Sequence, residues 1–181
     1  MSPRALVRGT RVYVRHPAAS DREAFIAAAQ GSRALHHPWV AAPDTDEAFD
    51  GFIQRSRRPS RSSLLVIGAD DDALLGLYNL GEIVRGPFLN AYLGYYAFVP
   101  HAGKGWMRAA MPLVFQHAFD QLRLHRLQAN VQPQNVASHA LLAATGWREE
   151  GFAPRYLFID GAWRDHVTYA ITAEEVAGHT T

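Results

Sequence analysis

Tyr92-Leu93-Gly94-Tyr95-Tyr96-Ala97-Phe98-Val99-Pro100-His101-Ala102-Gly103-Lys104-Gly105-Trp106-Met107-Arg108-Ala109-Ala110-Met111 is the stretch on which the fold turns. Its first part, within the apolar run Ala91 to Val99, reads as a strand that stops at Val99-Pro100. The loop from His101 to Gly105 then opens directly into a helix. That order makes an anion site: the first N–H groups of a helix have no acceptor within it and together carry about half a positive charge, and two glycines let a phosphate approach the main chain. Lys104, the single lysine of the chain, sits inside the loop. The same loop also reads as a tight strand-to-helix turn that uses glycine for its backbone freedom. A Walker loop is excluded by spacing, since it needs Gly, four residues, then Gly-Lys and a hydroxyl residue, whereas here Lys104 precedes Gly105 and Trp106 follows. Nor is there a Gly-x-Gly-x-x-Gly fingerprint, so neither nucleotide hydrolysis nor hydride transfer is expected.

Downstream, Met107, Ala110, Met111, Val114, Phe115, Ala118, Phe119 and Leu122 recur three and four apart, predicting one helix over Trp106–Leu122 with a kink at the internal Pro112. A strand over Arg126–Val131 follows, then a helix over Asn135–Thr145 closed by Gly146. Two last strands, near Arg148–Ile159 and Trp163–Ile171, flank Asp160-Gly161, a strong hairpin signal. Upstream, Ser63–Gly68 and Ala73–Ile83 are strands that precede Ala91–Val99 in an antiparallel row. Before them come a first strand at Arg11–Arg15, a helix capped by Ser20 with Glu23 three residues on, and a helix starting at Thr45 or Asp46. The tail from Thr172 is expected to fray.

The 181 residues suit one domain, 1–181, with its core at about 7–172. A composition of 48% hydrophobic and 19% charged residues is that of an ordinary globular chain, and 18 basic against 17 acidic groups leave no global field for nucleic acid or membrane. With no cysteine, disulfides, cysteine–zinc sites and a thiol nucleophile are all excluded. No leader and no membrane-length apolar run is read, so a cytoplasmic protein is expected. The nine histidines form no His-Glu-x-x-His pattern, and no metal is expected.

Strand, Gly-Lys-Gly loop, helix, strand and then Asn135 to Trp147 together resemble the acetyl-CoA core of the GCN5-related N-acetyltransferases. Ile83-Val84-Arg85-Gly86-Pro87-Phe88, Tyr92-Leu93-Gly94-Tyr95, His125-Arg126-Leu127-Gln128-Ala129-Asn130 and Ile159 to His166 resemble the Rim-type ribosomal-protein-alanine acetyltransferases. The resemblance spans roughly Val7 to Thr172. It implies an α/β (α+β) fold with a mixed, mostly antiparallel seven-stranded sheet, helices on both faces, splayed between the fourth and fifth strands. The family's pyrophosphate motif usually begins with Arg or Gln and closes with Gly or Ala; here those positions are Ala102 and Met107.

By this resemblance, acetyl-CoA is the co-substrate. Backbone N–H groups of Gly103, Lys104, Gly105, Trp106 and Met107 would hold its pyrophosphate, with Lys104 or Arg108 adding charge. Phe98 and Val99 would pair with the pantetheine arm, and Asn135 would bind the cofactor or simply cap its helix. Many relatives use a tyrosine where this chain has Leu142. Ser138, one turn after Asn135, is the candidate for the departing sulfur, and Glu82, at a strand end, for the base that deprotonates the amine; Glu150 and His101 follow. His37, Trp39 and Tyr95 are candidate acceptor-site residues, in a region that aromatic packing would also explain. The implied activity is acetylation of the N-terminal α-amine of a ribosomal or similar protein, by direct attack in a ternary complex. A small-molecule acetyltransferase and a non-catalytic acyl-CoA sensor are the alternatives, with no nucleic-acid or membrane partner and a monomer or homodimer as the assembly.

Overall fold

A computed structural model describes residues 4–178. The strands are β1 (Val7–Arg8), β2 (Val12–Arg15), β3 (Ser62–Gly68), β4 (Leu74–Val84), β5 (Asn90–Ala97), β6 (Arg126–Val131), β7 (Arg148–Ile159) and β8 (Ala162–Thr172). They form one sheet in the order β1-β2-β3-β4-β5-β6-β8-β7. Every pairing is antiparallel except β5 with β6. The mixed, mostly antiparallel architecture agrees with the expectation, but the sheet has eight strands, not seven. The extra one is β1, a two-residue strand folded onto β2 by the Gly9 N–H to Val12 carbonyl bond (2.9 Å). Two residues are too few to show a period of two in sequence.

Strand β3 is buried along its whole length, an interior strand covered on both faces. Its residues alternate between two cores, as the pleat requires. Leu64 and Val66, with Tyr78, Leu80 and Leu93, face Met111, Val114 and Phe115 of helix α4 (Trp106–Phe115). Leu65 and Ile67, with Leu77, Tyr96 and Phe98, face Phe25 of α1 (Arg22–Gly31) and Phe49, Phe52 and Ile53 of α3 (Asp46–Ser56). Helix α3 begins at Thr45, whose hydroxyl accepts the Ala48 N–H at 3.2 Å. Ser20 does not cap the first helix. Asp21 accepts the Ala18 N–H at 2.7 Å and is held by Arg15 at 2.6 and 2.8 Å, a charged acceptor outcompeting a hydroxyl. A four-residue helix, α2 (Arg33–His36), follows α1 at Ser32.

The long helix is not uniform. Pro112 lies inside α4, and after Phe115 the helix continues as a π-helical segment, Gln116–Gln121. The turn accommodates buried His117, whose Nδ1 donates to Gln121 Oε1 (2.7 Å) and whose Nε2 accepts from the Ser62 hydroxyl (2.9 Å). Helix α5 (Val136–Ala143) lies after β6. At the hairpin between β7 and β8, Asp160 (φ 51°) and Gly161 (φ 72°) both take the left-handed conformation that a two-residue type I′ turn demands. The chain past Thr172 does not fray at once: α6 covers Ala173–Gly178, with Glu175 accepting from the Thr172 N–H (2.8 Å) and hydroxyl (3.1 Å). Residues 179–181 lie outside the described residues. No helix among the described residues is long and apolar enough to cross a membrane.

The feature that positions a site is the β5–β6 seam. These strands pair in parallel through Asn90, Ala91 and Tyr92 against Arg126, Leu127 and Gln128, and no further. Beyond Tyr92 they diverge, and a wedge opens in the sheet.

Candidate active site

The wedge holds a cavity of about 520 Å³. Four segments line it: the α2 region with His36 and Trp39, the end of β5 with Tyr95, Tyr96 and Ala97, the loop from His101 into α4, and α5 with Asn135 and Ser138.

Gly103 (φ 75°) and Gly105 (φ 80°) are left-handed, and Gly105 is the N-cap of α4. A Cβ at either would meet nothing within 4 Å, so the backbone conformation requires glycine and leaves open space above the loop. The Gly105 carbonyl accepts the Ala109 N–H (3.0 Å), which starts the helix and leaves the preceding amides as free donors at its positive end. Gly103, Gly105, Trp106, Met107 and Arg108 all line the cavity, whereas the exposed Lys104 does not. Arg11 stacks its guanidinium over the Trp106 ring at 4.4 Å, adding a cation beside the loop.

The end of β5 shows which main-chain groups are free. The Phe98 N–H is bonded to the Leu75 carbonyl (2.9 Å) and the Val99 N–H to Ser32 Oγ (3.0 Å), so both donors named for the pantetheine arm are engaged within the protein. Successive peptide groups of a strand point to opposite edges, so Tyr95 and Ala97 present theirs toward the wedge. The Ala97 carbonyl accepts from His36 Nε2 at 2.8 Å, which fixes the proton of that imidazole on Nε2. His36 is buried and packs on Tyr96 and Phe98. Nothing in the local pattern of His36-His37-Pro38-Trp39, itself a candidate acceptor-site segment, distinguishes the buried histidine from the exposed one, and Ser32 and Ala97 carry no local signal because their partners are far away in the chain.

Ser138 lines the cavity, and Asn135 Oδ1 accepts the Ser138 N–H (3.2 Å), the geometry of a helix cap. Tyr95 turns its ring to the α4 side of the sheet, and its hydroxyl is buried without a hydrogen-bond partner. Burial, opposed by the neighbouring Ser138 side chain, pushes the phenol up to about 12. Trp39 lines the same cavity. His37 does not: it is exposed, 3.9 Å from Asp160, on a second hollow of about 310 Å³ between the α2–α3 segment and the β7–β8 turn. His36 borders both hollows.

Glu82 is not among the residues brought together. It sits in a bulge of β4 with φ 48°, exposed and 3.2 Å from Arg61. Gly81 pairs with Tyr92, where the seam is still closed, and five residues of strand, about 17 Å, separate that point from Ala97. Glu150 is likewise remote, and hydrogen bonds from Arg126 and Arg148 lower its carboxyl to about 2, which makes it a poor base. His101 lines the cavity. Among the described residues no group of three or more His, Asp or Glu side chains is placed to hold a metal.

The geometry is thus a cavity of about 520 Å³ whose wall carries both a helix N-terminus and unpaired strand amides, the requirements of a ligand that carries phosphate and amide groups together. The acetyltransferase (GNAT) domain family matches residues 11–148. Probable N-acetyltransferase YjcK of Bacillus subtilis is 30% identical over 92% of this chain and 96% of its own length. The [ribosomal protein uS5]-alanine N-acetyltransferase of Escherichia coli is 40% identical over 59% of this chain and 55% of its own. Among solved structures, Mycobacterium smegmatis RimJ in complex with CoA-disulfide superposes with a TM-score of 0.82 at 30% identity, covering 91% of this chain and 83% of that one. The chain belongs to the GNAT family and is an N-acetyltransferase.

Proposed function

We propose that the chain transfers acetyl from acetyl-CoA to the N-terminal α-amine of a ribosomal or similar protein, by direct attack in a ternary complex. One observation carries the donor half: the open β5–β6 wedge, into which the N-terminus of α4 and the Tyr95 and Ala97 peptide groups point together. The pyrophosphate fits the amides after Gly103 and Gly105, and the amide arm fits the strand end. The lack of cysteine removes a thiol-bound acetyl intermediate, which favours direct transfer.

The acceptor half is supported by the 40% identity to the Escherichia coli uS5-alanine enzyme over 106 residues. The second hollow, with Asp160 at its rim, offers a carboxylate to an incoming ammonium from the far side of His36. The amine must lose a proton before attack, and the C–S bond then breaks with sulfur leaving beside Ser138.

The test follows free thiol release from acetyl-CoA with Ala-starting peptides and with small polyamines as acceptors. Release with peptides alone is the expected result. Release with polyamines alone would reassign the acceptor to a small amine, and binding of acetyl-CoA with no release to any acceptor would favour a sensor.

A further inference from the structure

Acetyl transfer needs a group that takes a proton from the attacking amine, and neither carboxylate that the sequence offers lines the wedge cavity or the second hollow. Glu82 sits beside Arg61 at the closed part of the seam, and Glu150 is held by Arg126 and Arg148. Another residue has the position. His36 and Val40 are the two residues that border both hollows, and of the pair only His36 has a polar side chain.

The His36 ring is firmly placed. Its Nε2 donates to the Ala97 carbonyl at 2.8 Å, on the strand end whose peptide groups face the wedge, and the ring packs on Tyr96 (centroids 4.9 Å apart) and Phe98 (5.8 Å). Its backbone is fixed as well, since the His36 carbonyl accepts the N–H groups of Trp39 (2.7 Å) and Val40 (3.0 Å), the turn that brings both residues to the cavity wall. A neutral imidazole with its proton on Nε2 carries its lone pair on Nδ1. That Nδ1 has no hydrogen-bond partner among the described residues, and it is not one of the buried polar atoms left unpaired among them, which belong to Asn90, Tyr95, Trp106 and Trp147. It therefore keeps access to the space that the ring borders. A histidine held through one nitrogen by a main-chain carbonyl, with the other nitrogen free where two cavities meet, has the arrangement of a general base.

The ionisable groups around it are placed for other roles. Arg33 pairs with Asp44 at 2.7 Å, His37 lies exposed beside Asp160 on the second hollow alone, and burial raises the Tyr96 phenol above its ordinary value. His101 lines the wedge cavity but not the second hollow, and belongs to the loop that enters α4.

We propose that His36 is the general base of the reaction, taking through Nδ1 the proton that the attacking nitrogen sheds. This rests on the reading of the wedge as the acetyl-CoA site and of the second hollow as the approach of the amine. The ammonium first gives one proton to water. As the neutral nitrogen then forms its bond to the thioester carbon, its N–H proton passes to His36 Nδ1, and the imidazolium is steadied by the Ala97 carbonyl that already accepts its Nε2 proton. The C–S bond breaks with its electron pair left on sulfur. The thiolate takes up a proton and His36 returns its own to water, so that amide and CoA thiol are the products.

The experiment measures thiol release by the full chain as wild type, His36→Gln and His36→Ala, with the acceptor that wild type uses. Glutamine keeps an N–H for the Ala97 carbonyl but has no basic nitrogen, so kcat should fall about 100-fold with the KM for acetyl-CoA unchanged. In His36→Ala, which leaves a space the size of the ring, added imidazole should restore part of kcat, and pyrazole, a ring of the same size and a far weaker base, should not. Equal restoration by the two rings, the mark of a space-filling role, would overturn the proposal, as would no restoration by imidazole. So would a wild-type kcat in His36→Gln, a result that stands even where the alanine variant fails to fold. Absence of thiol release by wild type with every acceptor would overturn the acetyl-transfer reading, and the proposal with it.

Discussion

The two ends of β5 are built from similar residues and serve opposite purposes. At Asn90–Tyr92 the strand is bonded on both sides, to β4 and to β6, and its groups are consumed in the sheet. At Tyr95–Ala97 its only strand partner is β4, and the Ala97 carbonyl is taken by the His36 side chain. The difference is not in packing, since Phe98 at the open end is as fully buried as Ala91 at the closed one. It lies in backbone hydrogen bonding alone. A binding site can thus be made by withholding one row of hydrogen bonds while the core on either face stays complete.

The strongest way to break this comparison is Phe98→Ala. If the open end is held by packing alone, removing the ring from its contacts with Phe25, His36 and Tyr96 should cost about 3–5 kcal/mol in urea unfolding. A cost under about 1 kcal/mol would mean that the open end is loosely anchored and the contrast is one of packing after all. Ser32→Ala sharpens it. The buried Ser32 hydroxyl donates to the Ala28 carbonyl (2.7 Å) and accepts the Val99 N–H, so its loss orphans the amide that turns the chain out of the sheet. The expected cost is about 1–3 kcal/mol, with a raised KM for acetyl-CoA. An unchanged KM would uncouple this turn from the cavity.

The smallest effect is expected behind the closed end, where Ser62 pairs with Leu80 and bonds His117. Burial lowers the His117 pKa, partly offset by Gln121, with His16 close by on the other side. Between that lowered value and the ordinary 6.5 or so, the unfolded chain binds more protons than the folded one, so stability is full above about pH 6.5 and is lost as pH falls below it. His166, lowered mainly by burial, acts with the same sign. Unfolding midpoints measured from pH 7.5 to 5 should decline in wild type and decline less steeply in His117→Asn. Parallel curves would remove His117 from the account.

What the sequence made legible was local. The alternation of the strands, the Gly-Lys-Gly entry into α4, the Thr45 cap and the Asp160-Gly161 turn each depend on residues a few positions apart. The wedge itself is fixed by partners far apart in the chain, Ser32 with Val99 and His36 with Ala97, and no periodicity carries such pairs. Sequence points to Glu82 as the base because it lies at a strand end beside β5, where it would face the cleft. The bulge between Gly81 and Val84, with Glu82 left-handed, turns that side chain toward Arg61, and a bulge leaves no mark on an apolar pattern.

The parallel seam also has a mechanical side. A sheet joined across its middle by so short a stretch of ladder has few main-chain bonds holding its two halves together. A donor whose amide arm lies along β5 supplies the bonds that the divergent part of β6 does not. On the proposed reading it is, while seated, a structural element as well as a reactant, and product release would unzip it. By mass action the protein should then be hardest to unfold when saturated with donor and softest at product release.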